Sequence, residues 1–161
     1  MKKLPVLEKL EKDLEDARKE LNVDIPKALK IAMDHGDLSE NAEFKAAKER
    51  QSFLESRVSQ LQKRISDVLS IDLKRIPKDR SGLGSTLHLE DLDTGEKKTY
   101  HLVFPEEVNP DEGKISGASP VGRSLINKQE GDEIVMTLPN GKREYEILKI
   151  VTIHDLAASD E

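Results

Sequence analysis

Cysteine and tryptophan are absent from this 161-residue chain, and only five residues are aromatic: Phe44, Phe53, Tyr100, Phe104 and Tyr145. Without cysteine there are no disulfides and no thiolate zinc sites, so a reducing cytoplasm is the expected compartment. Long hydrophobic runs are missing too. No stretch approaches the ~18 apolar residues of a membrane span, and the opening MKKLPVLEKLEKDLED lacks the apolar run of a signal peptide, so no membrane partner is expected. Hydrophobic residues make up 35% of the chain against 36% charged. That is lean for one thick core but sufficient for a helical hairpin with a narrow seam plus a small second domain.

A strong positive charge is also lacking. The net charge is −6 and unevenly spread: residues 1–75 carry 16 basic and 15 acidic side chains, residues 76–161 carry 10 and 17. Phosphate binding grows with the number of phosphates neutralised. Neither half reads as an autonomous DNA binder, so DNA would be met only indirectly, through a protein.

Heptads dominate the first half. Leu7, Leu10, Leu14, Ala17 and Leu21 are spaced 3, 4, 3, 4, and Leu54, Val58, Leu61, Ile65 and Val68 are spaced 4, 3, 4, 3. Such seams belong to long helices packed side by side. For arms folded back antiparallel, facing residues have numbers with a constant sum. Leu7 with Val68, Leu14 with Leu61 and Leu21 with Leu54 all give 75, as do Ala28 with Ala47 and Ile31 with Phe44. The fold-back then falls between Asp37 and Leu38, beside Gly36, the only glycine before Gly82. A glycine there supplies the left-handed backbone that stops a helix. The same register places Asp24 opposite Gln51 as a polar layer, with Pro26 bending the first arm and Asp24 capping a restarted helix. Arms of about 30 residues at ~1.5 Å each reach roughly 45 Å.

At this hairpin tip, near residues 34–43, lie Asp34, Asp37, Glu40 and Glu43 around His35-Gly36. Asp37 and Glu40 have the outline of a capping box, and acids in a first turn complement the helix dipole. Capping does less for Asp34, which sits at the end of the preceding helix. A self-sufficient metal site is a poor fit, because magnesium prefers six oxygens and binds weakly to one or two exposed carboxylates. A hydrolase acting alone fits no better, since a tip has no pocket. The third reading is that the rod carries its acids into a channel and completes another molecule's site.

The second half reads as short strands. STLHLEDL and KKTYHLVF flank DTGE, and DEIVMTL and KREYEILKIV flank PNG, two hairpins. Between them Ser119-Pro120 marks the cap and first residue of a short helix reaching about Asn127. The fold class is therefore α+β: residues 1–75 an antiparallel two-helix coiled-coil hairpin, 76–84 a linker, and 85–161 a small antiparallel sheet with one helix.

HGDLSENAEFKAAKERQ (His35–Gln51) and SPVGRSLINKQEGDEI (Ser119–Ile134) resemble the Gre family of bacterial transcription elongation factors, GreA type. The resemblance implies a factor whose coiled coil enters the RNA polymerase secondary channel and stimulates the polymerase's own Mg²⁺-dependent cleavage of backtracked RNA. Asp37 and Glu40 would then be the catalytic and metal-binding acids, sharing Mg²⁺ with the polymerase, with no cofactor bound by the chain alone and no enzyme activity of its own. Asn41 and Glu43 would support the tip or polarise water. Lys45, Lys48 and Arg50 match a basic patch able to face the extruded RNA 3′ end, or form a solvated helix face with Lys45 paired to Glu49. The second half would be FKBP-like and dock on the channel rim through Gly117, Ala118, Ser119 and Pro120, unless those residues only start a helix. Two positions depart from the family: Pro26 lies about a turn nearer the tip than its usual proline, and Asn127 stands where glycine is frequent.

Three rivals remain at this level. An FKBP-like half could be a prolyl isomerase, for which Tyr100, Phe104 and Tyr145 are the available aromatics. The hairpin could be a structural adaptor whose acids only cap helices. A channel-binding relative could inhibit polymerase instead of rescuing it.

Overall fold

The computed structural model describes residues 4–36 and 41–159, the last three of these in backbone only. The chain divides into two compact units, Lys3–Ile71 and Asp72–Glu161.

The first unit is the helical hairpin. Its leading arm is α1 (Pro5–Lys19), a π-helical turn (Glu20–Asp24) and α2 (Ile25–Asp34); its returning arm is α3 (Ala42–Leu69). Pro5 sits in the first turn of α1, where a missing N–H costs nothing. Leu7, Leu10, Leu14 and Ala17 are buried on one arm and Leu54, Leu61 and Val68 on the other, as the heptads require.

Beyond Leu21 the expected register fails. Ile31 is 57% exposed and Ala28 is exposed, whereas Ile25 (4% exposed), half-buried Leu29 and Ala32 (1%) turn inward. The cause is the π turn, in which the Ile25 N–H donates to the Glu20 carbonyl, five residues back. One extra residue per turn delays the apolar phase by one position. Each inward position now lies one residue later than the heptads assign, which shifts the constant sum to 76 and puts Ile25 in the layer assigned to Asp24. The polar layer of Asp24 and Gln51 does not form. Nor does Asp24 cap a restarted helix: its backbone is helical and its side chain accepts no capping bond.

The second unit is a five-stranded sheet of order β3-β2-β1-β5-β4: β1 Thr86–Asp91, β2 Lys97–Val103, β3 Lys114–Ser116, β4 Glu133–Leu138 and β5 Gly141–Val151. Both expected hairpins are present, β1 with β2 and β4 with β5. β3, which pairs parallel to β2, was not expected. Helix α4 (Pro120–Leu125) covers the inner face, where Leu87, Leu89, Leu102, Leu125, Met136, Tyr145 and Ile147 form the core. A second helix, α5 (Ile153–Ser159), follows β5. Its start is a reciprocal cap: Thr152 Oγ1 accepts from the Asp155 N–H at 3.2 Å, and Asp155 Oδ2 from the Thr152 N–H at 2.9 Å.

The stretch 76–84, expected as a linker, packs into this unit. Ser81 is fully buried; its hydroxyl donates to the Leu125 carbonyl and accepts from the Lys128 N–H at 2.8 Å. The Ser81 carbonyl takes the Asn127 N–H at 2.9 Å. That last bond holds Asn127 at φ 60, the one non-glycine residue with positive φ among those described. Asparagine tolerates this left-handed backbone better than most residues, which explains how it stands in a glycine position.

Candidate functional site

Helix α2 ends where its sequence runs out of helix formers. The His35 N–H donates to the Ala32 carbonyl at 3.1 Å and the Gly36 N–H to Met33 at 3.3 Å. Gly36 then takes φ +113, with open space around it. The returning arm starts at Asn41, whose Oδ1 accepts the Phe44 N–H at 3.0 Å and so caps α3. The same side chain does a second job: Asn41 Nδ2 donates to the Ala32 carbonyl at 2.6 Å. One amide thus ties the end of one arm to the start of the other. A second tie lies outside it, His35 Nδ1 to Glu43 Oε2 at 3.0 Å, both side chains well exposed.

Asp37 and Glu40 lie outside the described residues, as does the expected fold-back point. The described flanks, Gly36 and Asn41, bracket both acids. Among the described residues no group of three or more His, Cys, Asp or Glu side chains could hold a metal ion. Asp34 closes α2 and Glu43 lies in the first turn of α3, where its charge favours the helix dipole.

The three expected basic residues do not form one set. Arg50 reaches across to Glu20 in a two-pronged pair, Nε to Oε2 at 2.6 Å and a terminal nitrogen to Oε1 at 2.9 Å. Its guanidinium also lies 5.1 Å from the Phe53 ring centre. The hydrogen bond from Arg50, helped by its charge, holds the Glu20 carboxyl below its ordinary range against the opposing effect of desolvation. Lys48 donates to Gln51 Oε1 at 3.1 Å. The anticipated Lys45–Glu49 pair is not formed: neither makes an ion pair with the other among the described residues. All three are exposed, but Arg50 is committed to the opposite arm, whereas Lys45 and Lys48 make no such cross-arm ion pair among the described residues.

In the second unit, Ser119 caps α4, its Oγ accepting the Gly122 N–H at 3.0 Å and donating to the Ser116 carbonyl at 2.7 Å. Ala118 and Pro120 remain exposed, Gly117 and Ser119 half-buried. Gly122 is required here, because a Cβ would collide with the Ser116 carbonyl oxygen. Tyr145 is fully buried and Phe104 nearly so. Two of the three aromatics available to a prolyl isomerase are thus packed in the interior, and Tyr100 is half-buried against the same core as Tyr145.

The described architecture is a helical hairpin followed by a sheet unit covered by a helix that starts at Ser119-Pro120. The comparisons with known proteins specify it further. The family model described as transcription elongation factor, N-terminal, matches residues 6–68, and that for GreA/GreB, C-terminal, matches 76–152. The transcription elongation factor GreA of Desulfotalea psychrophila is 42% identical over 144 residues, 89% of each chain. GreA of Nitratidesulfovibrio vulgaris strain DP4 is 45% identical over 141 residues, 88% of this chain and 86% of its own. The crystal structure of GreA factor homolog 1 from Thermus thermophilus is 32% identical, covering 89% of this chain and 93% of that one, with a TM-score of 0.42. This chain belongs to the GreA/GreB family of transcription elongation factors.

Proposed function

We propose that the hairpin enters the secondary channel of RNA polymerase and that Asp37 and Glu40 complete the polymerase's active centre for cleavage of backtracked RNA. The observation that carries this reading is the tip itself: two long arms, cross-tied by Asn41 and Ala32, converge on a segment holding two carboxylates. The described part of the chain offers no metal cluster of its own. Two carboxylates fall short of the six oxygens that magnesium prefers, so they suit a shared ion. A Mg²⁺ held between the two proteins would supply Lewis-acid activation of water for in-line displacement.

The chain's own part is binding and orientation. Asp37 and Glu40 provide oxygens for the shared ion and accept a hydrogen bond from the attacking water. Lys45 and Lys48, on the helix just behind, favour the extruded RNA 3′ end electrostatically. Gly117, Ala118, Ser119 and Pro120 form the docking edge on the channel rim. Hydrolysis belongs to the polymerase, and the chain is an accessory factor.

The deciding experiment compares the wild-type chain with Asp37→Asn/Glu40→Gln in stalled elongation complexes. The double variant is expected to bind polymerase with unchanged affinity and to lose cleavage stimulation by about a hundredfold or more. Cleavage at the wild-type rate would overturn the assignment. Binding with inhibition by the wild-type chain would identify an inhibitor, and no binding at all would leave the adaptor reading.

A further inference from the structure

We propose that the π turn at Glu20–Asp24 fixes the angular position of the tip, with Asp24, Ile25 and Pro26 as positioning residues for the cleavage reaction. The inference rests on the function proposed above and adds how the hairpin aims its acids.

The leading arm contains two competing apolar sets. An unbroken α-helix continuing the Leu7–Leu21 heptads would turn Asp24, Ala28 and Ile31 to the seam. The observed arm turns Ile25, Leu29 and Ala32 inward instead. The sets differ by one residue, a rotation of about 100° about the helix axis and a shift of ~1.5 Å.

Two features select the observed phase. Pro26 has no N–H, and in a regular α-helix its ring would press on the carbonyl of Asn22, four residues back. A wider turn relieves that contact. Asp24 in the seam would also bury a carboxylate opposite Gln51, whereas one residue later Ile25 fills the layer with hydrocarbon. Glu20, the first residue of the turn, is held by the bidentate contact from Arg50 on the other arm, which pins this level of the hairpin.

The phase reaches the tip through Ala32. Because Ala32 is inward, its carbonyl meets the Asn41 amide at 2.6 Å. A one-residue rotation would carry that carbonyl away from α3 and put Ile31 in its place. Residues 37–40 are joined to the chain at Gly36 and Asn41, so turning the first anchor re-aims whatever lies between. Misplacement by about 1 Å can cost a hundredfold in rate.

The absence of native cysteine permits a direct test. Ala47→Cys paired with Leu29→Cys is expected to form an intramolecular disulfide on oxidation, and Ala47→Cys paired with Ala28→Cys is not. In the background Asp24→Leu/Pro26→Ala the link is expected to move to position 28. Without the reporter cysteines, that variant should keep its helical circular dichroism and its half-saturating concentration for polymerase. Its maximal cleavage rate should fall by about a hundredfold. Deletion of Asn22 combined with Pro26→Ala removes the extra residue yet keeps Ile25, Leu29 and Ala32 inward. That variant should retain the link at position 29 and cleave within about twofold of wild type.

A link that stays at position 29 in the Asp24→Leu/Pro26→Ala background would overturn the proposal. So would undiminished cleavage once the link has moved, or lost cleavage in the Asn22 deletion with the link in place. Should the unaltered chain fail to stimulate cleavage, the proposed function is what fails, and the disulfide pattern still reports the phase.

Discussion

Single side chains with two partners do much of the organising in this protein. Asn41 caps a helix and binds the opposite arm, and Ser81 ties the stretch before β1 to the end of α4. Asp91 is a third case. It is 1% exposed; its Oδ1 accepts the Asp93 N–H at 2.8 Å and the Thr94 N–H at 3.2 Å, and its Oδ2 accepts Arg143 at 2.9 Å. The Asp93 amide, then Arg143 and Thr94, outweigh desolvation and hold the carboxyl below its ordinary 3.8. Because the folded-state value is depressed, the stabilisation is complete above the unfolded value and is lost as pH falls through the folded one. Asp91→Asn is therefore expected to lower the melting temperature at neutral pH. Between about pH 5 and pH 3 its melting temperature should fall less steeply than the wild type's in a calorimetric series. Parallel curves would remove Asp91 from the acid response.

The leading arm shows where periodicity informs and where it fails. From Leu7 to Ala17 the heptad gives the seam correctly, because regular α-helix underlies the arithmetic. Past Glu20 the count carries one residue too few, and only Pro26 beside an ill-placed Asp24 signalled a change of pitch. Alanine substitution should expose the difference in chemical denaturation. Leu61→Ala, in the seam, is expected to cost about 2–5 kcal/mol, and Ile31→Ala, solvent-facing, no more than about 0.5 kcal/mol. Equal costs would contradict the observed register. In the sheet unit both hairpins and the Ser119-Pro120 helix were legible, since turn residues and alternation are local. β3, Lys114–Ser116, was not, because a three-residue strand has no period. For α5 the signal was present in Thr152-Ile153-His154-Asp155, a cap pattern of the T-x-x-D kind. Gly82 and Gly84 read as linker by composition, whereas buried Ser81 decides otherwise.

At the scale of the whole chain, a hairpin unit carrying the candidate chemistry is joined to a sheet unit carrying the candidate docking edge, and each has its own core. The candidate site was legible mainly through its motif. Four acids at intervals of three permit caps, ligands or borrowed chemistry, and spacing alone does not choose among them. The ties that frame the tip were out of reach, because an asparagine reaching a backbone carbonyl nine residues away leaves no periodic trace. The shared-ion reading makes a calorimetric forecast. Magnesium titrated into the chain alone should show no site tighter than about millimolar, while cleavage in the polymerase complex should remain magnesium-dependent. A micromolar site on the free chain would mean a self-contained centre.

The one-residue offset built into the leading arm also limits how the gene for this hairpin can change length. Elongating the rod without unzipping it calls for matched heptads added to both arms. A lone codon gained or lost between Pro5 and Ala32 swings everything distal out of step, unless it removes the bulge itself. The bulge is thus the natural place for one deletion to be absorbed, and related hairpins lacking it should be one residue shorter on that arm alone.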